Sequence, residues 1–193
     1  MNRKLRIIFT IFLLSNLGAC VGSMNPTGGN GRPDYPYYIT TQPIIVKNIA
    51  VPTGTTLEYE QQHFKSGQQD SLLNEKKLIG IRFPTDQSMN WAGVPIGYIN
   101  KYFNSEMKGF SVYARFNQLT RNKQTRFSQL WQECNDDLGI SVKNTNDWSF
   151  NLDNINDIDS CSVNYQRYFK ENLQQQHYLD QLYQEMQKAE KVK

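Results

Sequence analysis

The 193-residue sequence has two histidines, three cysteines and no apolar run after its N-terminal one. Each scarcity excludes something. Beyond residues 7–14 nothing approaches the ~18 consecutive apolar residues of a spanning helix, so no second membrane segment is predicted. Charge surplus is also missing. The formal +3 is carried by Arg3, Lys4 and Arg6, the only charged residues before Cys20, and the remainder holds 18 basic against 18 acidic side chains. A balanced chain offers no basic excess for nucleic acid or an anionic membrane surface, so neither is an expected partner. Catalytic signatures are lacking as well: there is no Gly-x-Ser-x-Gly, His-Glu-x-x-His, P-loop or Gly-x-Gly-x-x-Gly. His63 and His177 lie in polar runs with no identifiable nucleophile, and read as surface residues. Glu58 with Glu60, and Asp136 with Asp137, are carboxylates close in sequence. Glycosidase carboxylates must face each other across a substrate, and such adjacent pairs are more often solvated. The expectation is a protein that is not an enzyme and holds no cofactor or metal.

What the sequence does have begins at its N-terminus. Arg3, Lys4 and Arg6 precede the apolar run Ile7 to Leu14, and small residues lead to Leu17-Gly18-Ala19-Cys20. A charged n-region, a short h-region and small residues at the end make a secretory signal. Its last four residues resemble a bacterial lipobox, which implies cleavage before Cys20 and lipid on that cysteine. Val21 follows where lipoproteins kept in the inner membrane commonly carry Asp. The resemblance therefore implies the outer membrane, facing the periplasm, in a Gram-negative source. The domains predicted are a signal peptide over 1–19, a lipidated linker over 20–37 and a globular domain over 38–193. The linker is rich in Gly, Pro and Asn without apolar period, and about sixteen such residues span roughly 20–24 Å root-mean-square.

Along the domain, Ile44-Ile45-Val46 is a β-branched run, Pro52-Thr53-Gly54 a turn, and 56–59 and 78–83 read as strands. Residues 72–75 suggest a helical turn or loop. In 89–99 two glycines and a proline argue against a continuous helix. Ile99, Tyr102 and Phe103 suggest a short helix after Gly97, with Trp91 packed more than exposed. Phe110, Val112, Ala114 and Phe116 alternate with polar neighbours as a half-buried strand. Phe127, Leu130, Trp131, Cys134 and Leu138 fall on one face of a helix, capped by Thr120 and stopped at Gly139. From 140 to 159 come short polar segments anchored by Trp148 and Phe150, and 162–169 weakly suggests a strand. From Glu171 a helix carries Leu179, Leu182, Tyr183 and Met186 on one face. The class is α+β, one mixed domain with a few antiparallel strands, a core amphipathic helix and a C-terminal helix.

If Cys20 is lipidated, Cys134 and Cys161 remain as an even pair for an oxidising compartment. Closing that loop would stabilise the fold by roughly 3.5 kcal/mol on the chain-entropy view. The alternative is two free buried thiols. Between the two cysteines lie six aspartates against one lysine, Lys143. A calcium loop at 153–157 fails the EF-hand pattern, because Ile155 fills a ligand position and the glycine and final glutamate are missing. Two readings remain: a solvated loop whose Asp and Asn make turns, or a protein-binding surface. On the second, Asp147, Trp148, Asp153, Asp157 and Asp159 would steer and anchor a basic partner.

Two blocks carry a family resemblance. One is Asn90-Trp91-Ala92-Gly93-Val94-Pro95-Ile96 with Phe103-Asn104-Ser105-Glu106-Met107-Lys108-Gly109-Phe110-Ser111-Val112; the other is Asp147-Trp148-Ser149-Phe150 with Asp159-Ser160-Cys161-Ser162-Val163. They resemble the lipoprotein immunity proteins encoded beside phospholipase effectors of type VI secretion systems. That resemblance implies a partner, a secreted phospholipase toxin, which the protein binds and neutralises in the periplasm. The alternative reading is a structural or assembly lipoprotein of the envelope, and a third is an envelope hydrolase.

Overall fold

A computed structural model describes residues 35–61, 64–101, 108–119, 125–161 and 173–191. The signal segment, Cys20 and most of the linker lie outside the described residues. So do His63, Tyr102, Phe103, Thr120 and the stretch 162–170. Residues 33–193 form one compact unit.

That unit is a mixed α+β fold built on a large, mostly antiparallel sheet. Its strands are β1 (Pro36–Ile39), β4 (Thr56–Tyr59), β5 (Gly67–Gln68), β6 (Leu78–Arg82), β7 (Met89–Trp91), β8 (Val94–Lys101), β9 (Gly109–Ala114), β10 (Asp137–Val142) and β11 (Ile155–Ser160). Between β1 and β4 a separate ribbon pairs β2 (Ile44–Val46) with β3 (Ile49–Val51). The sheet runs β5-β1-β4-β6-β8-β9-β10-β11, with β7 also paired to β8; only β1 and β5 are parallel. β1 opens at Pro36, two residues before the boundary that composition suggests.

Strand pairing explains the core. Leu57, Ile81, Ile99, Val112 and Leu138 stand directly opposite one another across five neighbouring strands. All five are fully buried. Burying each such side chain contributes about 1.5–3 kcal/mol, and cross-strand contacts add to it. This row also corrects the expectation for 97–101. Ile99 belongs to β8 and meets Ile81 and Val112, so lateral pairing overrides the helical spacing read toward Tyr102.

Two tight hairpins fix the registers. Lys47 and Asn48 (φ 51° and 62°) join β2 to β3, and Ala92 and Gly93 (φ 49° and 85°) join β7 to β8. Positive φ at both central residues is the type I′ geometry, whose twist matches that of the strands it joins. In the second hairpin Gly93 N–H donates to Asn90 Oδ1 at 2.8 Å. Trp91, which precedes that turn, is packed: it is 0 % exposed, edge-on to Trp131 (ring centroids 5.8 Å apart) and Phe150 (4.6 Å).

The central helix is shorter than its periodicity suggests. α1 covers Arg126–Gln132, and Phe127, Leu130 and Trp131 are buried as expected. Asn135 and Asp136 then adopt left-handed φ of 54° and 65°, which an α-helix cannot continue through. Leu138 and Gly139 therefore fall in β10, and the segment expected to be irregular over 140–159 holds parts of both β10 and β11. The C-terminal helix α2 spans Leu173–Lys191 and buries Leu179, Leu182 and Met186. Cys134 and Cys161 form a disulfide with their Cα atoms 4.6 Å apart, tying the end of α1 to the residue after β11.

Candidate functional site

The acidic segment between the cysteines resolves into two kinds of residue. Asp147 organises its own loop: Oδ1 accepts from Ser149 N–H at 3.0 Å and from Ser149 Oγ at 2.6 Å, while Asn151 Nδ2 donates to Oδ2 at 3.5 Å. Asn154 closes the loop by donating through Nδ2 to the carbonyls of Asn144 (3.1 Å) and Asp147 (3.0 Å). Its Oδ1 accepts from Asn144 N–H at 2.7 Å. These are turn-making roles for Asp and Asn.

Trp148 is 2 % exposed and donates its indole N–H to Thr145 O at 3.0 Å. Its ring lies 5.9 Å from that of Phe110, and Lys47 Nζ stands 5.8 Å from its centroid. The β2–β3 turn docks here, since Trp148 N–H donates to Lys47 O at 3.0 Å and Lys47 Nζ donates to Asn146 Oδ1 at 3.2 Å. Burial holds the Lys47 ammonium below the ordinary lysine value, partly offset by Glu75. Asp147 and Trp148 thus hold the loop to the domain, and both side chains are buried there. Asp153 and Asp157 are exposed on or beside β11. The side chain of Asp159 lies outside the described residues.

A different constellation occupies the sheet face opposite the core row. Pairing aligns Arg82, Tyr98, Tyr113 and Asp137 on neighbouring strands, with Glu58 opposite Gly80 beside them. Glu58 is 3 % exposed. It accepts the Tyr98 hydroxyl on Oε2 at 2.8 Å and Arg82 Nε on Oε1 at 3.2 Å. The Arg82 guanidinium lies 4.0 Å from the Tyr98 ring centroid, a stacking geometry that suits arginine. Tyr98 and Tyr113 stand 5.3 Å apart. A side chain at Gly80 would bring its Cβ within 2.6 Å of Glu58 Oε2, so the missing Cβ is what seats the carboxylate.

Burial, then the Glu58 charge, pushes the Tyr98 hydroxyl well above the usual phenol range. Tyr113 is pushed up to about 12 by burial and the nearby Asp137. Sequence reading missed this cluster because Glu58, Arg82 and Tyr98 are 16 to 40 residues apart. The one available signal was a charged residue inside each of two strand-like runs.

Arg115 has a third role. Its terminal nitrogens donate to the carbonyls of Phe83 (2.8 Å), Thr85 (3.0 Å), Gln87 (2.6 Å) and Pro84, which clamps the turn between β6 and β7. Burial and the neighbouring Arg82 lower its proton affinity.

Among the described residues no group of three or more His, Cys, Asp or Glu side chains converges as a metal site. No described helix is long and apolar enough to cross a membrane. No protein-family model, curated protein or solved structure matches this chain.

Proposed function

We propose that this protein is a lipid-anchored envelope protein that binds and neutralises a secreted phospholipase delivered by type VI secretion. The observation that carries the reading is the Cys134–Cys161 disulfide downstream of Leu17-Gly18-Ala19-Cys20. A structural disulfide persists in the oxidising envelope, the compartment to which a lipobox would send the chain. Cys20 would carry the lipid, and the Gly- and Pro-rich linker would let the domain reach a soluble toxin near the bilayer.

Many described residues of the blocks that resemble the immunity lipoproteins belong to the scaffold. Trp91, Val94, Ile96, Phe110, Val112 and Trp148 are all buried. The resemblance is therefore one of fold-forming residues, and the toxin-contacting side chains are to be sought on other faces, with Asp153 and Asp157 among them.

The test is genetic. A strain lacking this chain but keeping the adjacent phospholipase gene should lose membrane integrity when mixed with sibling cells. Expression of the wild-type chain should restore it. A deletion strain that resists its siblings as well as the parent does would overturn the immunity reading and favour a structural envelope lipoprotein.

A further inference from the structure

We propose that α2 is a lid over the Cys134–Cys161 disulfide, so that a thiol reductant reaches the bond only when the helix lifts from the domain. The inference concerns the chain itself and does not depend on which partner it binds. Its basis is what stands on the two sulfurs. Gln175 Nε2 donates to Cys161 Sγ at 2.9 Å, and the Tyr178 hydroxyl lies 3.6 Å from Cys134 Sγ. Both contacts come from α2, while the two cysteines lie at the end of α1 and after β11. Cys134 is 1 % exposed. Cys161 is the more open of the two, and the closer of the α2 contacts falls on it.

The sequence of α2 gives one stripe both tasks. Gln175, Tyr178, Leu179, Leu182 and Met186 are spaced i, i+3, i+4, i+7 and i+11, which is one face of a helix. The first two meet the sulfurs, and the last three are the helix's buried residues. Undocking the apolar seat therefore uncovers the bond. The fold leaves room for that motion. α2 lies against α1 and β11, and β11 is the last strand in the sheet order, so lifting the helix breaks no pairing between strands. Openings of one element, smaller than global unfolding, are an ordinary property of folded chains.

Reduction by a dithiol proceeds in two exchanges. A thiolate of the reductant attacks one protein sulfur and forms a mixed disulfide; the Cys134–Cys161 bond breaks and the other cysteine leaves as a thiolate. The reductant's second thiolate then displaces the first cysteine. The reductant ends as a disulfide, and the protein takes up two electrons and two protons as two thiols. The first exchange depends on access to sulfur. With Gln175 on one sulfur and Tyr178 beside the other, the docked helix denies that access. Once α2 has closed, the oxidised state is held against dithiols in its surroundings.

The experiment follows reduction of the full chain by dithiothreitol, with alkylation and peptide mass mapping to count thiols at Cys134 and Cys161. In the folded wild-type chain reduction should run about a hundredfold or more slower than in the urea-unfolded chain. Leu182→Ala loosens the seat while leaving Gln175 and Tyr178 in place, and should speed reduction of the folded chain about tenfold or more. Leu57→Ala is the control. It weakens the core row far along the sheet from β11, and should leave the rate within about twofold of wild type. If either truncation does not fold, Leu182→Val and Ile99→Val make a milder pair. A folded wild-type chain reduced as fast as the unfolded one would overturn the lid. So would an α2 variant reduced no faster than wild type, since the sulfurs would then be reached with the helix docked. Equal acceleration by the α2 and core variants would assign reduction to global unfolding, and would overturn it as well.

Discussion

At the scale of single residues, backbone conformation and protonation give the sharpest expectations. Gly93 sits at φ 85°, and a Cβ there would meet only Phe127 Cζ at 3.6 Å. The demand for glycine is therefore conformational, and Gly93→Ala should cost about 1 kcal/mol in urea unfolding, with an unchanged m-value. A variant as stable as wild type would mean that the β7–β8 turn tolerates a side chain in the left-handed region. Tyr98 makes a second expectation. Its folded hydroxyl titrates above the unfolded value of 10.0, so the folded chain keeps a proton that the unfolded chain releases. By linkage, the stability it contributes is fully present below pH 10.0 and falls as pH rises above it. Tyr59 and Tyr113, both pushed up to about 12, act in the same direction. Tyr98→Phe should be less stable at neutral pH by about 1–3 kcal/mol, since Glu58 loses a buried donor, and should lose stability less steeply between pH about 9 and about 11. Urea midpoints across that range check both parts, and parallel curves for the two proteins would contradict the second.

At the scale of elements, the strands with clean alternation were legible and the rest were not, for reasons that can be named. Phe110, Val112 and Ala114 announce β9 because one face of that strand is packed and the other is more polar. β8 hides its period because Gly97 sits at a register shift between Ile96 and Tyr98. β11 hides its own because register shifts interrupt its pairing with β10. The helix read through to Leu138 fails where Asn135 and Asp136 turn left-handed, a property that side-chain spacing does not report. Glu58, Arg82 and Tyr98 meet only through pairing register, so no local motif could have announced the cluster. Asp147 and Asn154 take the turn-making role that composition offered as one of two readings, with hydrogen bonds that stay within their own loop. Gly97 connects two elements. A Cβ there would run into the Arg115 side chain that clamps the β6–β7 turn. Gly97→Ala should therefore cost about 1–3 kcal/mol through overpacking, and Arg115→Ala made in the same chain should relieve part of it. Strictly additive effects in chemical denaturation would show that the two positions do not touch.

At the scale of the whole molecule, the disulfide joins α1 and the end of β11, two elements that also lie against α2. Closing its 27-residue separation should stabilise the chain by roughly 3.5 kcal/mol on the entropic view. Reductant should then lower the melting temperature by roughly 7–14 °C. An unchanged melting curve, with two thiols titratable before reduction, would remove the cross-link from the account. The central claim is that this fold works by sitting on a lipase, and one titration tests it most directly. Purified chain is added stepwise to the phospholipase that the proposed function requires beside its gene, while complex formation and lipid hydrolysis are followed together. The account predicts a saturating complex whose appearance matches the loss of hydrolysis. Hydrolysis that continues undiminished, with or without a complex, would contradict it.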